Sequence, residues 1–290
     1  TLRCSAFTDE GLRDMAGTSL NDMPSATACG CMGTSALLAG LLPRGIEVSE
    51  LFADPPDVTS SLYPEEVDLV ARAVEKRRRE FAAVRMCART AMARLGVPSA
   101  PSLPGEHRSP VWPDGIVGSM THCDGYRAAA VARRSVVISI GVDAEPHDPL
   151  PDGVEEAVLL SEERDAALRL SERRPDTAWD RLIFSAKESV FKAWFPMTAQ
   201  WLDFSECVVA PDPDRGTFTA TLLVPGPVVA GERIQHFTGR WRTRGGIEQG
   251  HVATAVLVGI VDPSRAGRDP DPPLVRAAGK SHRQRGKRST

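Results

Sequence analysis

The chain has 290 residues, of which 42% are hydrophobic and 25% charged, and its formal net charge is −3 at pH 7. This composition excludes a fibrous or low-complexity protein and is typical of a globular chain with one large or two small domains. No run of apolar residues approaches the ~20 that cross a bilayer, and 36–42 is too short and lacks the basic flank of a signal peptide, so we expect a cytoplasmic protein without a membrane partner.

The two ends of the chain differ from its middle. Residues 1–31 are rich in Gly, Ser, Thr, Asp and Met without periodicity, which predicts a disordered stretch within an N-terminal extension of residues 1–46. The segment after Pro263 contains eight Lys or Arg and two Asp, so its formal net charge is +6 and that of the rest of the chain is −9. Residues 264–290 have little to bury and are predicted to form a disordered basic tail, for which nucleic-acid binding is the less favoured interpretation.

Between the ends, helical and strand-rich stretches alternate twice. The helical stretches are 64–95 and 155–194, and the strand-rich ones are 115–145 and 207–260. This order predicts an α+β fold of two similar halves, residues 47–145 and 146–263, with the active site in the cleft between them. Because such a chain supplies its own cleft, we expect a monomer.

The first helical stretch carries arginines on its apolar face. Apolar residues recur at positions 70, 74, 81, 84, 88, 92 and 95, and Arg77 falls inside this stripe, with Arg85 roughly on the same side. Because an isolated buried charge is unfavourable, the two guanidiniums either pair with acids or bind an anion such as phosphate. The alternative is that Arg77 extends to water along the surface.

Thr121 and His122 precede an Asp-Gly turn between two strands. A histidine beside a hydroxyl at a strand end donates hydrogen bonds to phosphate oxygens, or is a structural histidine with its own partners. The chain has no Gly-x-Ser-x-Gly elbow here, which argues against a hydrolase triad.

The segment 138–146, ISIGVDAEP, predicts a buried strand that ends in two carboxylates. Apolar residues alternate along it, and the two-residue period puts Asp143 and Glu145 together on the opposite face. Pro146 cannot continue a ladder, so we expect an open, acid-lined strand end.

The helix around 184–194 adds a third acid between two lysines. Lys187 lies at the edge of the apolar stripe and has apolar residues four positions before and after it, so its ammonium must find an anion elsewhere. Glu188 and Lys192 are either a plain i,i+4 pair or part of a site.

Together these groups predict a metal site next to cationic side chains. Mg²⁺ prefers oxygen ligands and is commonly held by a few carboxylates together with substrate phosphates, whose remaining charge the lysines and arginines would take. This combination indicates metal-assisted chemistry on a phosphate ester or anhydride. A Mg²⁺-dependent nuclease or phosphohydrolase also fits, and a nucleic-acid-binding module built on the basic helix and tail is the non-enzymatic alternative.

Four ordered motifs resemble those of Sfp-type 4′-phosphopantetheinyl transferases. GVDAE at 141–145 is similar to GxDxE, FSAKESVFK at 184–192 to FxxKExxxK, Thr121-His122 to an upstream Ser/Thr-His motif, and KRRREF at 76–81 to a basic helix. WPDG and AWFP, at 112–115 and 193–196, are especially similar to the actinobacterial branch. The likeness spans about residues 47–258.

The resemblance implies a reaction and a fold. The enzyme would move the phosphopantetheine arm of coenzyme A to a serine of an acyl- or peptidyl-carrier protein from fatty-acid, polyketide or nonribosomal-peptide synthesis, releasing adenosine 3′,5′-bisphosphate. Coenzyme A would bind between two α+β halves related by a pseudo-twofold axis. The cofactor would be Mg²⁺, or Mn²⁺ in its place, held by Asp143, Glu145 and Glu188.

The same resemblance implies roles for individual residues. Glu188, Lys192 and Asp143 would be catalytic, with Glu188 taking the serine proton and Lys192 offsetting charge on the pyrophosphate or leaving group. Lys187 would bind a phosphate oxygen. The 3′-phosphate end of coenzyme A would be held by His122 with Thr121, and by Arg77 with Arg85.

One position departs from the pattern of close relatives. The resemblance implies a coenzyme A-binding lysine in the loop before WPDG, where this chain has Pro104. His107 or Arg108 would have to substitute, or binding would be weaker.

Overall fold

The computed structural model of the protein describes residues 36–105, 107 and 109–260. The expected disorder of residues 1–31 and 264–290 lies outside the described residues, as does Arg108. Within these bounds, no helix is long and apolar enough to cross a bilayer.

Helices and antiparallel strands alternate along the chain. The helices are α1 (Pro64–Leu69), α2 (Glu75–Arg94), α3 (Val154–Val158), α4 (Ser161–Arg173) and α5 (Trp179–Thr198). The strands are β1 (Glu47–Leu51), β2 (Ile116–Cys123), β3 (Tyr126–Arg133), β4 (Val137–Pro146), β5 (Cys207–Asp212), β6 (Thr217–Leu222), β7 (Val228–Val229), β8 (Glu232–Arg233), β9 (His236–Arg244) and β10 (His251–Ile260).

In the part of the chain that the structure describes, the strands form three antiparallel sheets. β1, β3 and β2 make a three-stranded sheet in the order β1-β3-β2, five strands follow the order β4-β10-β9-β6-β5, and β7 pairs with β8. The predicted α+β class is therefore confirmed. β4 pairs with β10 along most of its length, so hydrogen bonding groups it with the C-terminal strands, whereas the sequence placed it at the end of an N-terminal half. The division into two similar halves stays a prediction.

The first helical stretch is broken into two helices. Residues 70–74 separate α1 from α2, and Val74 is 73% exposed, so the expected apolar stripe does not run through it. Instead, Glu66 of α1 is fully buried, and both of its carboxylate oxygens accept hydrogen bonds from Arg89 Nη1 at 3.0 Å. An ion pair between the two helices therefore holds α1 against α2. The spacing of apolar residues in the sequence does not predict this pair.

α5 packs unusually closely on β4, and this contact requires a glycine. A Cβ atom at Gly141 would lie 1.9 Å from the Ser189 carbonyl oxygen and 2.6 Å from the Ala193 amide nitrogen. Two residues before Gly141 on β4, Ser139 Oγ donates to the Ala193 carbonyl at 2.7 Å. Only hydrogen at position 141 lets the helix backbone lie directly on the strand.

We predict that Gly141→Ala lowers the free energy of unfolding by at least about 2 kcal/mol, because α5 must move away from β4. Urea denaturation of the full chain measures this effect. Gly246→Ala is the matched control, since a Cβ there meets nothing within 4 Å. Equal stability of the two variants would contradict the close packing described here.

Candidate active site

β4 carries two carboxylates on one face, as its alternation predicts. The even-numbered residues Ile140, Val142 and Ala144 pack into one hydrophobic core, and Asp143 instead faces α5. Asp143 is only 3% exposed, so the expected open strand end is wrong at this residue. The reason is that α5 covers the strand up to the point where the carboxylates project.

Asp143 is held by three donors from two directions. Lys192 Nζ lies 2.7 Å from Oδ1, Ser185 Oγ donates to Oδ2 at 2.8 Å, and Thr121 Oγ1 donates to Oδ1 at 3.2 Å. Two of these donors lie on α5 and one on β2. The Lys192 ammonium therefore contacts a carboxylate of β4. A plain i,i+4 pair with Glu188, the alternative left open by the sequence, does not account for this contact.

Glu145 sits in a negatively charged neighbourhood. Burial, and next the charge of Asp143, raise the pKa of the Glu145 carboxyl above its ordinary value, and the charge of Glu188 acts in the same direction. Arg181 opposes this shift, with Nη1 at 3.4 Å from Glu145 Oε2. Glu188 is itself 1% exposed on α5. Two of the acids predicted from the sequence, Asp143 and Glu188, thus act electrostatically on the third, Glu145.

Arg181 was missed in the sequence, although a signal was present. Its Nε and Nη2 donate to the carbonyls of Asp148 and Pro149 at 2.9 and 2.8 Å, which anchors the guanidinium beside Glu145. Along α5, Arg181, Ser185, Glu188 and Lys192 follow the spacing i, i+4, i+7, i+11. This spacing places a polar stripe on one face of an otherwise apolar helix, and that face lies on β4.

Lys187 is not placed with these groups, which corrects its expected role in phosphate binding. Its Nζ lies 2.6 Å from Glu163 Oε2 and donates to the carbonyls of Val158 and Phe204 at 3.0 and 2.7 Å. Its side chain is 2% exposed. The ammonium does find an anion away from its own helix, as expected, but that anion is a carboxylate of α4.

Thr121 and His122 point to opposite sides of β2, so they do not share one ligand as expected. Thr121 is 3% exposed and faces β4, where its Oγ1 accepts a hydrogen bond from the Ala144 amide at 3.0 Å. His122 faces α2, where Arg77 Nη1 lies 2.7 Å from its Nε2. Adjacent residues of a strand project to opposite faces, which is the physical reason for this correction.

Arg85 is more deeply buried than Arg77. Its guanidinium lies 3.2 Å from the centre of the Phe81 ring, and its Nε donates to the Ser102 carbonyl at 3.1 Å. Burial lowers the pKa of Arg85 to about 10, and Glu66, at 3.7 Å, opposes the shift. Arg77, by contrast, has a side chain that is one-third exposed.

A large pocket brings several of these residues together. Its volume is about 1120 Å³, and Arg77, Arg85, His122 and Lys192 all line it. This is slightly above the roughly 300–1,000 Å³ typical of small-molecule sites. Apolar residues from α5 and from the β7–β8 hairpin complete the wall, including Phe195, Met197 and Val229.

The loop that departs from the family pattern lies at this pocket. Pro104 lines it, and the ring of His107 lies 5.5 Å from that of Phe195, edge to face. His107 thus packs against α5 by ring contact. Its suggested role in binding coenzyme A stays a prediction.

Comparison with known proteins gives matches along most of the chain. The model described as "4′-phosphopantetheinyl transferase N-terminal domain" matches residues 65–132, and that of the "4′-phosphopantetheinyl transferase superfamily" matches residues 139–247. The chain is 55% identical to 4′-phosphopantetheinyl transferase Svp of Streptomyces mobaraensis, over 80% of this chain and 94% of that protein. It is 44% identical to PptT of Mycobacterium tuberculosis, over 78% and 100% of the two chains, and 44% identical to Npt of Nocardia iowensis, over 76% and 99%.

We predict that Lys187→Met destabilises the protein by about 3–5 kcal/mol, because it leaves Glu163 buried without its counter-charge. The double variant Lys187→Met/Glu163→Met should regain much of this loss, since it removes both charges. Urea denaturation measures both effects, and Lys76→Met, which breaks an exposed pair with Asp124, is the control. A Lys187→Met variant of unchanged stability but raised KM for coenzyme A would instead restore the phosphate-binding role.

Proposed function

Because this chain belongs to the 4′-phosphopantetheinyl transferase superfamily, we propose that it transfers the 4′-phosphopantetheine of coenzyme A to a serine of an apo acyl- or peptidyl-carrier protein. The family resemblance of its motifs is confirmed, and the chain is an enzyme of this type. The proposal adds three details: dependence on Mg²⁺, a serine acceptor, and adenosine 3′,5′-bisphosphate as the second product.

One observation carries the proposal best. Lys192 lines the large pocket and at the same time lies 2.7 Å from Asp143, so this carboxylate adjoins the pocket. Arg77 and His122 line the same pocket from α2 and β2. A substrate with a pyrophosphate in its middle and a phosphomonoester at one end needs cationic groups at both places.

The acids fit a divalent cation in their chemistry. Carboxylate oxygens are the protein ligands that Mg²⁺ prefers. Burial first, and then the charges of Asp143 and Glu188, raise the pKa of Glu145, so a cation bound beside these acids would offset negative charge. As the side chains lie, no three His, Cys, Asp or Glu residues in the described ranges could together hold a metal ion. We nevertheless assign Asp143, Glu145 and Glu188 as the ligands, on the charges and on the matched motifs. A bound Mg²⁺, or Mn²⁺, would stabilise negative charge on the pyrophosphate.

The chain's own residues perform the remaining tasks. The serine oxygen attacks the phosphorus atom that carries the pantetheine, and the bond from that phosphorus to the adenosine-side phosphate oxygen breaks. Glu188 takes the serine proton, directly or through water. Lys192 offsets the negative charge that develops on the leaving group, and Asp143 holds the Lys192 ammonium in place.

The adenosine end of coenzyme A is assigned to the part of the pocket wall that α2 and β2 form. Arg77 and His122 bind its 3′-phosphate, and Arg85, backed by the Phe81 ring, adds positive charge beside them. We further propose that the pocket corresponds to the cleft between two related α+β halves. The partner is an acidic carrier protein, and charge complementarity would guide its approach.

We predict that an apo carrier protein incubated with this enzyme, coenzyme A and Mg²⁺ gains the mass of one phosphopantetheine, read by intact-mass spectrometry. Glu188→Gln should slow this reaction by about 100-fold or more, because the proton acceptor is lost. Glu156→Gln, which changes an exposed glutamate of α3, is the matched control and should react at the normal rate.

Two results would contradict the proposal. One is no mass gain over a panel of fatty-acid, polyketide and peptide carriers with a folded enzyme. The other is release of adenosine 3′,5′-bisphosphate from coenzyme A at the same rate without any carrier, which is what a phosphohydrolase would give.

A further inference from the structure

A buried carboxylate lies directly behind the Arg77–His122 pair. Glu80 of α2 is 2% exposed, and it does not line the pocket, whereas Arg77 and His122 do. Its Oε2 lies 3.9 Å from Arg77 Nη1 and 4.0 Å from His122 Nε2. One carboxylate oxygen thus faces both side chains assigned to the 3′-phosphate.

The other oxygen of Glu80 faces Arg127 of β3, at 3.6 Å from Nη2. Arg127 has further partners: its Nε lies 3.2 Å from Asp54 Oδ1, and its Nη1 donates to the carbonyls of Cys123 and Tyr126. Arg127 is therefore well neutralised by Asp54 and the backbone. Its contact with Glu80 offsets the unfavourable burial of that carboxylate.

The position of Glu80 constrains the two pocket residues. Arg77 is one helical turn earlier on α2, so its side chain passes over Glu80 at i,i+3 spacing. Arg77 Nη1 also lies 2.7 Å from His122 Nε2, so the two pocket side chains contact each other directly. Arg77 and His122 are held as one unit, with the carboxylate behind both.

We infer that Glu80 is a positioning residue that holds Arg77 and His122 in the orientation in which they bind the 3′-phosphate of coenzyme A. The inference rests on the proposed function. It adds a residue that accounts for the enzyme's preference for a substrate with a 3′-phosphate. An arginine that is already ordered loses less conformational freedom when it binds a phosphate, so orientation from behind strengthens binding. Glu80 acts through its neighbours and does not contact the substrate.

The test compares coenzyme A with dephospho-coenzyme A, which differs only in lacking the 3′-phosphate. In Glu80→Gln, KM for coenzyme A should rise about tenfold, the effect expected when one charge-assisted hydrogen bond weakens. The kcat value, and KM for dephospho-coenzyme A, should remain unchanged. Glu80→Asp keeps the charge but retracts it by one methylene, and it is a milder change for folding. It should lose part of the discrimination between the two substrates, which is the ratio of KM for dephospho-coenzyme A to KM for coenzyme A.

Two controls separate the possible outcomes. Glu163→Gln removes a comparably buried carboxylate far from the pocket wall, in the pair with Lys187, and should leave the ratio of the two KM values unchanged. A ratio that falls equally in Glu163→Gln would overturn the inference, because it would reflect general destabilisation. Arg77→Met tests the phosphate assignment itself.

Failure of the positioning role and failure of the 3′-phosphate assignment give different results. If Arg77→Met abolishes the discrimination while Glu80→Gln and Glu80→Asp retain it in full, the positioning role is wrong and the phosphate site stands. If Arg77→Met also retains it, the assignment of the 3′-phosphate to this wall fails, and the inference fails with it. Carrier modification by the wild-type enzyme would hold in either case.

Discussion

The arrangement of the site depends on the direct packing of α5 on β4. At Gly141 the helix backbone lies so near the strand that no Cβ fits. Because the two backbones are that close, short side chains bridge them: Ser139 reaches the Ala193 carbonyl, and Ser185 reaches Asp143. A longer separation would break these two hydrogen bonds and would carry Glu188 and Lys192 away from the acids of β4.

Burial of charge is the second constraint, and the structure meets it by pairing. Lys187 with Glu163, Arg127 with Asp54, and Arg89 with Glu66 are each ion pairs with little exposure. Breaking such a pair leaves one charge in a medium of low dielectric, so each pair fixes its elements with respect to one another. The two side chains that we propose for the 3′-phosphate differ in this respect: those of Arg77 and His122 remain one-third and one-quarter exposed at the pocket wall.

Much of this site could be read from the sequence, because alternation and helical spacing are local properties. The common face of Asp143 and Glu145, and the approach of charged side chains on α5, follow from the periods of a strand and a helix. The partner of a buried charge is not local. Nothing near Lys187 in the chain identifies Glu163, and nothing near His122 identifies Glu80, because both contacts join separate elements. Thr121 shows a different limit: its motif neighbour His122 suggested a shared ligand, although strand geometry already separates the two side chains.

The junction between β2 and β4 explains where the pocket opens. The two strands are not joined by a backbone ladder; instead, the hydroxyls of Ser119 and Thr121 accept hydrogen bonds from the amides of Val142 and Ala144 at 3.1 and 3.0 Å. A side-chain hydroxyl satisfies a buried amide as a carbonyl would, but it holds the strands farther apart than a ladder does. Ser119 and Ile140, on either side of this junction, both line the pocket. The pocket is thus lined in part by residues of two strands that are joined by side-chain hydroxyls and belong to different sheets.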